Sequence, residues 1–161
     1  EAHEKAVLHR AFSVFIFNEK NQLMLQQRAA NKYHSPLLWT NTCCSHQRNG
    51  ETNIAAGKRR LQEEMGFVCE LEEKTSFIYK APFDNGLTEH ELDHVMVGYY
   101  NENPILNREE VENFKIDIRA INEILNITKA CILRLEIFDL LFGNVILAGV
   151  KSCYIYSLCL F

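Results

Sequence analysis

Two short stretches of this chain hold residue types able to do chemistry together. Cys43, Cys44 and His46 put a thiol pair and an imidazole on one tight segment just after Trp39, the only tryptophan. Glu89-His90-Glu91 places two carboxylates on alternate positions. On an extended strand alternate side chains share a face, so Glu89 and Glu91 converge while His90 points away, with His94 on its side. His3, His9 and His46 add three imidazoles to these two carboxylates. That is a borderline donor set, suited to Mn2+, Zn2+ or a similar ion. Taken singly, each histidine is better explained as a surface or core residue.

A third group is cationic. Arg28 and Lys32, four apart after an apolar run, could meet phosphate oxygens through charge-assisted hydrogen bonds. From Glu51 to Met65 the spacing of Ile54, Ala55, Leu61 and Met65 predicts a helix, with Gly66 as its C-terminal stop. Its polar side carries Glu51, Arg59, Arg60, Glu63 and Glu64. Arg60 and Glu64 share one face and can support each other or jointly meet a ligand. Charge pattern alone would make this an ordinary solvated face.

The elements that must position these groups follow from the rest of the chain. Ala11 to Phe17 is an aromatic-rich run that reads as a buried strand. Asn18 to Asn21 is a turn, and Gln22 to Gln27 returns as a second strand, which makes a hairpin. Ala29 to Leu38 is a loop containing Pro36. Thr75 to Lys80 and His90 to Tyr100 read as strands separated by the turn Asp84-Asn85-Gly86. Glu109 to Asn113 is expected to be exposed, and Ile116 to Leu125 to enter a helix. Strands and helices mixed in this way point to an α/β sandwich around a mixed sheet. With 161 residues, 47% of them hydrophobic, one compact domain spanning 1–161 is expected.

Seventeen basic against twenty-one acidic residues give a net charge of −4. There is no basic stripe for nucleic acid, so any anion site is local. Six cysteines without a CxxC or a regular framework fit a reducing cytoplasm. The apolar tail from Ile137 to Phe161 is interrupted by Asp139, Asn144 and Lys151, which favours burial over a membrane span. The expected partner is a small molecule, not nucleic acid or membrane, and the expected state is a monomer.

The spacing Glu51, seven residues, Arg59-Arg60-Leu61, one residue, Glu63-Glu64, one residue, Gly66-Phe67 resembles the Nudix box, G-x5-E-x7-R-E-U-x-E-E-x-G-U. Ser45 stands where the box begins with glycine, and Arg60 where it has a glutamate. A cation in place of a carboxylate suits holding a diphosphate more than cutting it. With TNTCCSH just upstream, the pattern is similar to the type 1 isopentenyl-diphosphate isomerases, Nudix-fold enzymes that do not hydrolyse their substrate. The resemblance runs from about His3 to about Asn113.

It implies a Nudix-type α/β/α sandwich around a mixed β-sheet and isomerisation of a homoallylic to an allylic diphosphate. It also implies roles: Cys44 and Glu91 as the catalytic pair with Tyr79 hydrogen-bonded to Glu91, and His3, His9, His46, Glu89 and Glu91 around a Mn2+ or Zn2+. Glu64 would hold a Mg2+, Arg28, Lys32 and Arg60 would meet the diphosphate, and Trp39 would form a pocket wall. An alkene is a very weak base and its cation is readily captured by water. The site therefore needs a dry pocket with an acid on one face and a base on the other. Cys43 reads as a small core residue.

The departures are specific. From about Ile127 the family pattern stops, and with it a C-terminal tryptophan over the hydrocarbon end; Tyr154, Tyr156 or Phe161 would have to replace it. Gln47 stands where the family usually has proline, and Leu37 where it often has glycine. A hydrolase of the Nudix superfamily would instead need Glu63 and Glu64 far more than Cys44. An inactive relative would bind metal without turnover.

Overall fold

The computed structural model describes residues 4–32, 35–82 and 86–120, with side chains up to residue 117. Among the described residues seven strands and one helix follow in the order β1 (His9–Phe17), β2 (Gln22–Arg28), β3 (Trp39–Thr40), β4 (Cys43–Ser45), α1 (Asn53–Met65), β5 (Leu71–Pro82), β6 (Thr88–Tyr99) and β7 (Val111–Ala120). The expected hairpins form: β1 with β2 and β5 with β6 are antiparallel. Asn18 closes the first turn, its Oδ1 accepting from the amides of Lys20 and Gln22 at 3.0 Å. The sheet is mixed because β1 and β6 pair in parallel, from His9 opposite Glu91 to Phe17 opposite Tyr99.

That pairing fills one edge of β1, so β2 and β4 must share the other. Here β2 takes Ile16 and Phe17, while β4 takes Phe12, Ser13 and Val14. Where the two strands part, backbone groups would be left without partners, which a buried site cannot tolerate. Asn41 and Thr42, both buried, supply them. Thr42 Oγ1 accepts from the Ile16 amide at 2.9 Å, and Asn41 Nδ2 donates to the carbonyls of Val14 and Cys43 at 3.1 and 2.8 Å. The polar half of TNTCC is thus a wedge that fixes the two cysteines.

Helix α1 starts at the N-cap Thr52, whose side chain accepts from the Ala55 amide at 3.2 Å, and stops at Gly66 with φ +73°. The inner face carries Ala56 and Gly57 rather than the expected Ala55, which is exposed. A Cβ at Gly57 would lie 2.8 Å from Leu71 Cδ1 and Met96 Cε, so the helix sits closer to the sheet than any larger residue allows. Leu61, Met65, Phe12, Val14, Ile16, Cys43 and Met96 form the core between helix and sheet. On the opposite face Phe17, Leu23, Leu25 and Val97 form a second cluster, with Phe15 and Trp39 against it.

Two further expectations fail. Residues 116–120 are strand, not the start of a helix, and Val111 within the supposedly exposed stretch is fully buried. β7 pairs along β2 from Gln22 to Arg28, and Val111 and Phe114 pack toward α1. Pairing along β2 holds this backbone extended in place of the expected helix. Residues 121–125, the turn at Asp84 and Asn85, and the tail with Tyr154, Tyr156 and Phe161 lie outside the described residues. Among the described residues no helix is long and apolar enough to cross a membrane.

Candidate active site

β6 carries Glu89 and Glu91 to one face of the sheet, and β1 carries His9 to the same face directly opposite Glu91. Glu91 is only 6% exposed. Its Oε1 lies 3.3 Å from His9 Nε2 and 3.0 Å from His46 Nε2, and the two nitrogens are 3.2 Å apart. His9 Nδ1 is 2.8 Å from the Val7 carbonyl. A carbonyl only accepts, so Nδ1 carries a hydrogen, and Nε2 is the ring atom turned toward Glu91. On the other side Tyr79 OH donates to Glu91 Oε2 at 2.6 Å and lies 3.0 Å from Glu89 Oε2.

These contacts separate two neighbouring carboxyls. Burial alone would raise Glu91, but the hydrogen bond with His46, that from Tyr79 and the nearby imidazoles outweigh it and bring the group down to about 2. Burial, and then the charge of Glu91, push Glu89 up to about 7. Burial followed by the two carboxylates holds the Tyr79 hydroxyl well above its usual range. His90 and His94 lie on the opposite face, bonded to the Ala6 carbonyl and to Glu73, as the alternation requires.

Adjacent cysteines on β4 face opposite ways. Cys44 pairs with Ser13, and so shares the face of His9 and Glu91. Cys43 points into the helix-side core, fully buried. Burial, then the adjacent Glu64, holds its thiol well above the ordinary range. Cys43, Cys44 and Cys69 form no disulfide.

A second polar cluster lies on that helix side. Glu64, 4% exposed, accepts from Gln26 Nε2 at 2.9 Å through Oε2 and from Arg60 Nη2 through Oε1. Arg60 also donates to Glu63 at 2.9 Å and to Glu110 at 3.2 Å, and Glu110 accepts from Lys32. Burial raises the Glu64 carboxyl despite Arg60 beside it. Lys32, Arg60 and Glu64 are therefore brought together. Arg28 stands apart from them: a register shift between Gln27 and Arg28 re-aims it, its Nε donates to the Ser35 carbonyl at 3.1 Å, and its charge acts on Glu89. Trp39 lines the second apolar cluster, with Lys115 Nζ 4.4 Å from its ring centroid. His3 lies outside the described residues.

Sequence reasoning missed three participants. Gln26 and Glu110 complete the Arg60 cluster. Asp93, 6% exposed, extends the row of Glu89 and Glu91 along β6, with Oδ2 accepting from Ser13 Oγ at 2.9 Å and Oδ1 buried without a partner. Burial pushes its carboxyl up to about 6. The i, i+2, i+4 spacing of the three acids could have found Asp93. Gln47 also has a clear task where proline is usual, donating to the Ala11 carbonyl at 3.2 Å and to Asn53 at 3.0 Å.

The donor set of His9, His46 and Glu91 fits a divalent ion. Ligand bonds of roughly 2.0–2.2 Å set at tetrahedral or octahedral angles span edges of roughly 2.8–3.5 Å, and the three donor atoms here lie 3.0, 3.2 and 3.3 Å apart. They converge within 4.8 Å of one another with no other acid or thiol needed to complete the triangle.

The NUDIX domain family matches residues 7–137. The chain is 50% identical over 127 residues to isopentenyl-diphosphate Delta-isomerase 2 of Photorhabdus laumondii, a match covering 78% of this chain and 72% of that protein. It is 52% identical over 114 residues to isopentenyl-diphosphate Delta-isomerase 2 of Aromatoleum aromaticum, covering 71% and 60%. To the isopentenyl-diphosphate Delta-isomerase of Serratia proteamaculans it is 49% identical over 122 residues, covering 75% and 68%. Among solved structures it is similar to DR0079 from Deinococcus radiodurans, with a TM-score of 0.58 at 21% identity over 76% of this chain and 73% of that one. The MutT protein of Methanosarcina mazei gives 0.56 at 18% identity over 74% and 81%. Those two likenesses bear on the fold alone.

Proposed function

This chain belongs to the NUDIX domain family and, within it, to the isopentenyl-diphosphate isomerases, and we propose that it interconverts isopentenyl and dimethylallyl diphosphate at the face of Glu91 and Cys44. The observation that carries the assignment of the site is the triangle of His9, His46 and Glu91 on the same sheet face as Cys44.

The reaction moves a double bond by adding a proton to the terminal alkene carbon, which leaves a tertiary cation, and removing one from the carbon between that cation and the CH2–O of the diphosphate ester. Cys44 and Glu91, on strands flanking β1, supply the two proton-transfer groups, one to each side of the five-carbon chain. Tyr79 fixes the Glu91 carboxyl through its second oxygen and leaves the first to the imidazoles. Trp39 and its apolar neighbours keep water from a tertiary cation, and an aromatic face steadies such a charge by about 0.5–2 kcal/mol.

His9, His46 and Glu91, joined by Glu89 and His3, would hold a Mn2+ or Zn2+, which would supply Lewis-acid polarisation, and Glu64 would hold a Mg2+, which would supply positive charge for the diphosphate. Each Glu64 oxygen keeps a lone pair beyond its contact with Gln26 or Arg60, the donor that a Mg2+ would use. Lys32 and Arg60 hold the diphosphate end, and Arg28 the border between that end and Glu89. We place the protein in the cytoplasm as a monomer whose residues 1–161 form one domain. Six cysteines without a CxxC or a regular framework favour a reducing compartment.

The test is turnover of isopentenyl diphosphate with Mg2+ and Mn2+, followed by proton and phosphorus NMR. Wild type should form the allylic diphosphate with both phosphorus signals retained. Cys44→Ala should lower kcat by about 10³-fold while remaining folded. A folded Cys44→Ala protein that turns over at the wild-type rate would remove the thiol from the reaction.

A further inference from the structure

We propose that Glu110 is a positioning residue for the diphosphate end, its carboxylate drawing Lys32 and Arg60 from two separate elements onto one point; this rests on the diphosphate reading above. Glu110 Oε2 accepts from Lys32 Nζ, on the loop after β2, and from Arg60 Nη2, on α1, at 3.2 Å for the latter. Among the described residues Glu110 is the side chain that accepts a hydrogen bond from both cations. Arg60 does not need Glu110 for its own neutralisation, because Glu63 and Glu64 already provide it. What the third carboxylate adds is a place for Lys32. A lysine stem has four rotatable carbons and loses about 2 kcal/mol of rotamer entropy when fixed. A partner that fixes it before substrate arrives removes that cost from binding.

The backbone around Glu110 is built to hold this carboxylate still. Its carbonyl accepts from the Ala29 amide at 3.1 Å, which ties it to the loop bearing Lys32. Its amide donates to the Asn107 carbonyl at 3.0 Å, and the Asn107 amide donates to the Glu64 carbonyl at 3.0 Å. Asn107 Nδ2 donates to the Glu63 carbonyl at 3.2 Å. Next door, the Ile105 amide donates to the Met65 carbonyl at 2.9 Å. Glu110 is therefore anchored to the last turn of α1 and to the Lys32 loop at once. Its side chain is half-buried, 26% exposed, so solvent does not dissolve the pairing.

Calorimetric titration of inorganic pyrophosphate with Mg2+ reads this directly, without turnover. Glu110→Gln should weaken pyrophosphate binding about tenfold, raise KM for isopentenyl diphosphate by the same factor, and leave kcat within about twofold. Glu110→Asp, which keeps the charge but pulls it back by one methylene, should lose about threefold. In a Lys32→Ala background Glu110→Gln should cost less than about threefold, because most of its effect passes through Lys32. A loss of undiminished size in that background would mark Glu110 as a clasp of the fold and overturn the proposal. So would unchanged or tighter pyrophosphate binding by Glu110→Gln, or, should that variant not fold, by Glu110→Asp. Wild-type protein that does not bind pyrophosphate would overturn the diphosphate reading along with it, whereas wild-type binding with an unaffected Glu110 variant overturns this inference alone.

Discussion

Glu64 and Glu91 are buried almost equally, at 4% and 6% exposure, on opposite sides of the same sheet, and their carboxyls move in opposite directions. Glu91 faces two imidazoles and a phenol and is drawn down to about 2; Glu64 faces a guanidinium, an amide and a thiol, and burial still raises it. The difference lies in the company each keeps. The two imidazoles converge on one Glu91 oxygen and the Tyr79 hydroxyl takes the other, so the charged form is held from both sides. Around Glu64 the guanidinium of Arg60 is divided among three acids, Glu63, Glu64 and Glu110. β4 reaches both sites with neighbouring residues, Cys43 toward Glu64 and Cys44 onto the face of Glu91. One side of the sheet gathers imidazoles and a phenol around one carboxyl, the other gathers three acids around one guanidinium.

The largest effect expected from this contrast is on Glu91. Glu91→Gln should lower kcat by about 10³-fold or more and release Mn2+ from the protein on dialysis, read by elemental analysis. Glu64→Gln should retain Mn2+ at the other site. Loss of Mn2+ from both variants would erase the distinction between the two sides.

Next in size is the hinge between α1 and the Glu110 turn. A Cβ at Gly66 would lie 2.4 Å from the Ile105 carbonyl oxygen at a φ of +73°. Gly66→Ala should cost about 3 kcal/mol in urea unfolding; a cost below about 1 kcal/mol would mean the turn yields freely. The cysteines sharpen the comparison further. Cys43→Ala should lose about 1–2 kcal/mol of stability with most activity kept, and Cys44→Ala should do the reverse. The same profile from both would contradict their opposite orientations.

Glu51 tests a surface pair outside both sites. The Arg59 side chain, then the Arg48 amide, hold its carboxyl down to about 2. A depressed carboxyl stabilises the fold fully above its ordinary range near 4.5 and loses that contribution as pH falls through about 2. Glu51→Gln should therefore be less stable than wild type at pH 7, with the gap closing toward pH 2; a gap that stays constant across that range would refute the pairing. Smallest is Leu37, exposed on the loop that leads to Trp39, with φ +61°. Leu37→Gly relieves a left-handed strain of about 1–2 kcal/mol but adds chain entropy of roughly half that. The net should be a gain of a few tenths to about 1 kcal/mol in thermal unfolding.

Much of this was legible in the residues. The strands of the hairpins show as apolar runs broken by turn residues, and α1 shows in the helical spacing of Ile54, Leu61 and Met65 and in Gly66. The placement of Glu89 and Glu91 on one face needed only the strand period. Three things were not legible. Asn41 and Thr42 look like loop polarity, yet they are buried because β1 and β2 part there, a fact of pairing that one strand's sequence does not carry. β7 shows no clean period, since its commitment comes from β2. Glu110 looks like one of several surface acids in Arg108-Glu109-Glu110, and only the meeting of α1 with the loop after β2 singles it out. In each case the missing information is which segments become neighbours.

The most direct test of the central claim is isotopic. In D2O with Mg2+ and Mn2+, isopentenyl diphosphate should yield dimethylallyl diphosphate carrying one deuterium on the methyl derived from the terminal alkene carbon, its two phosphates intact. Release of phosphate with the alkene unshifted and free of deuterium would contradict the account.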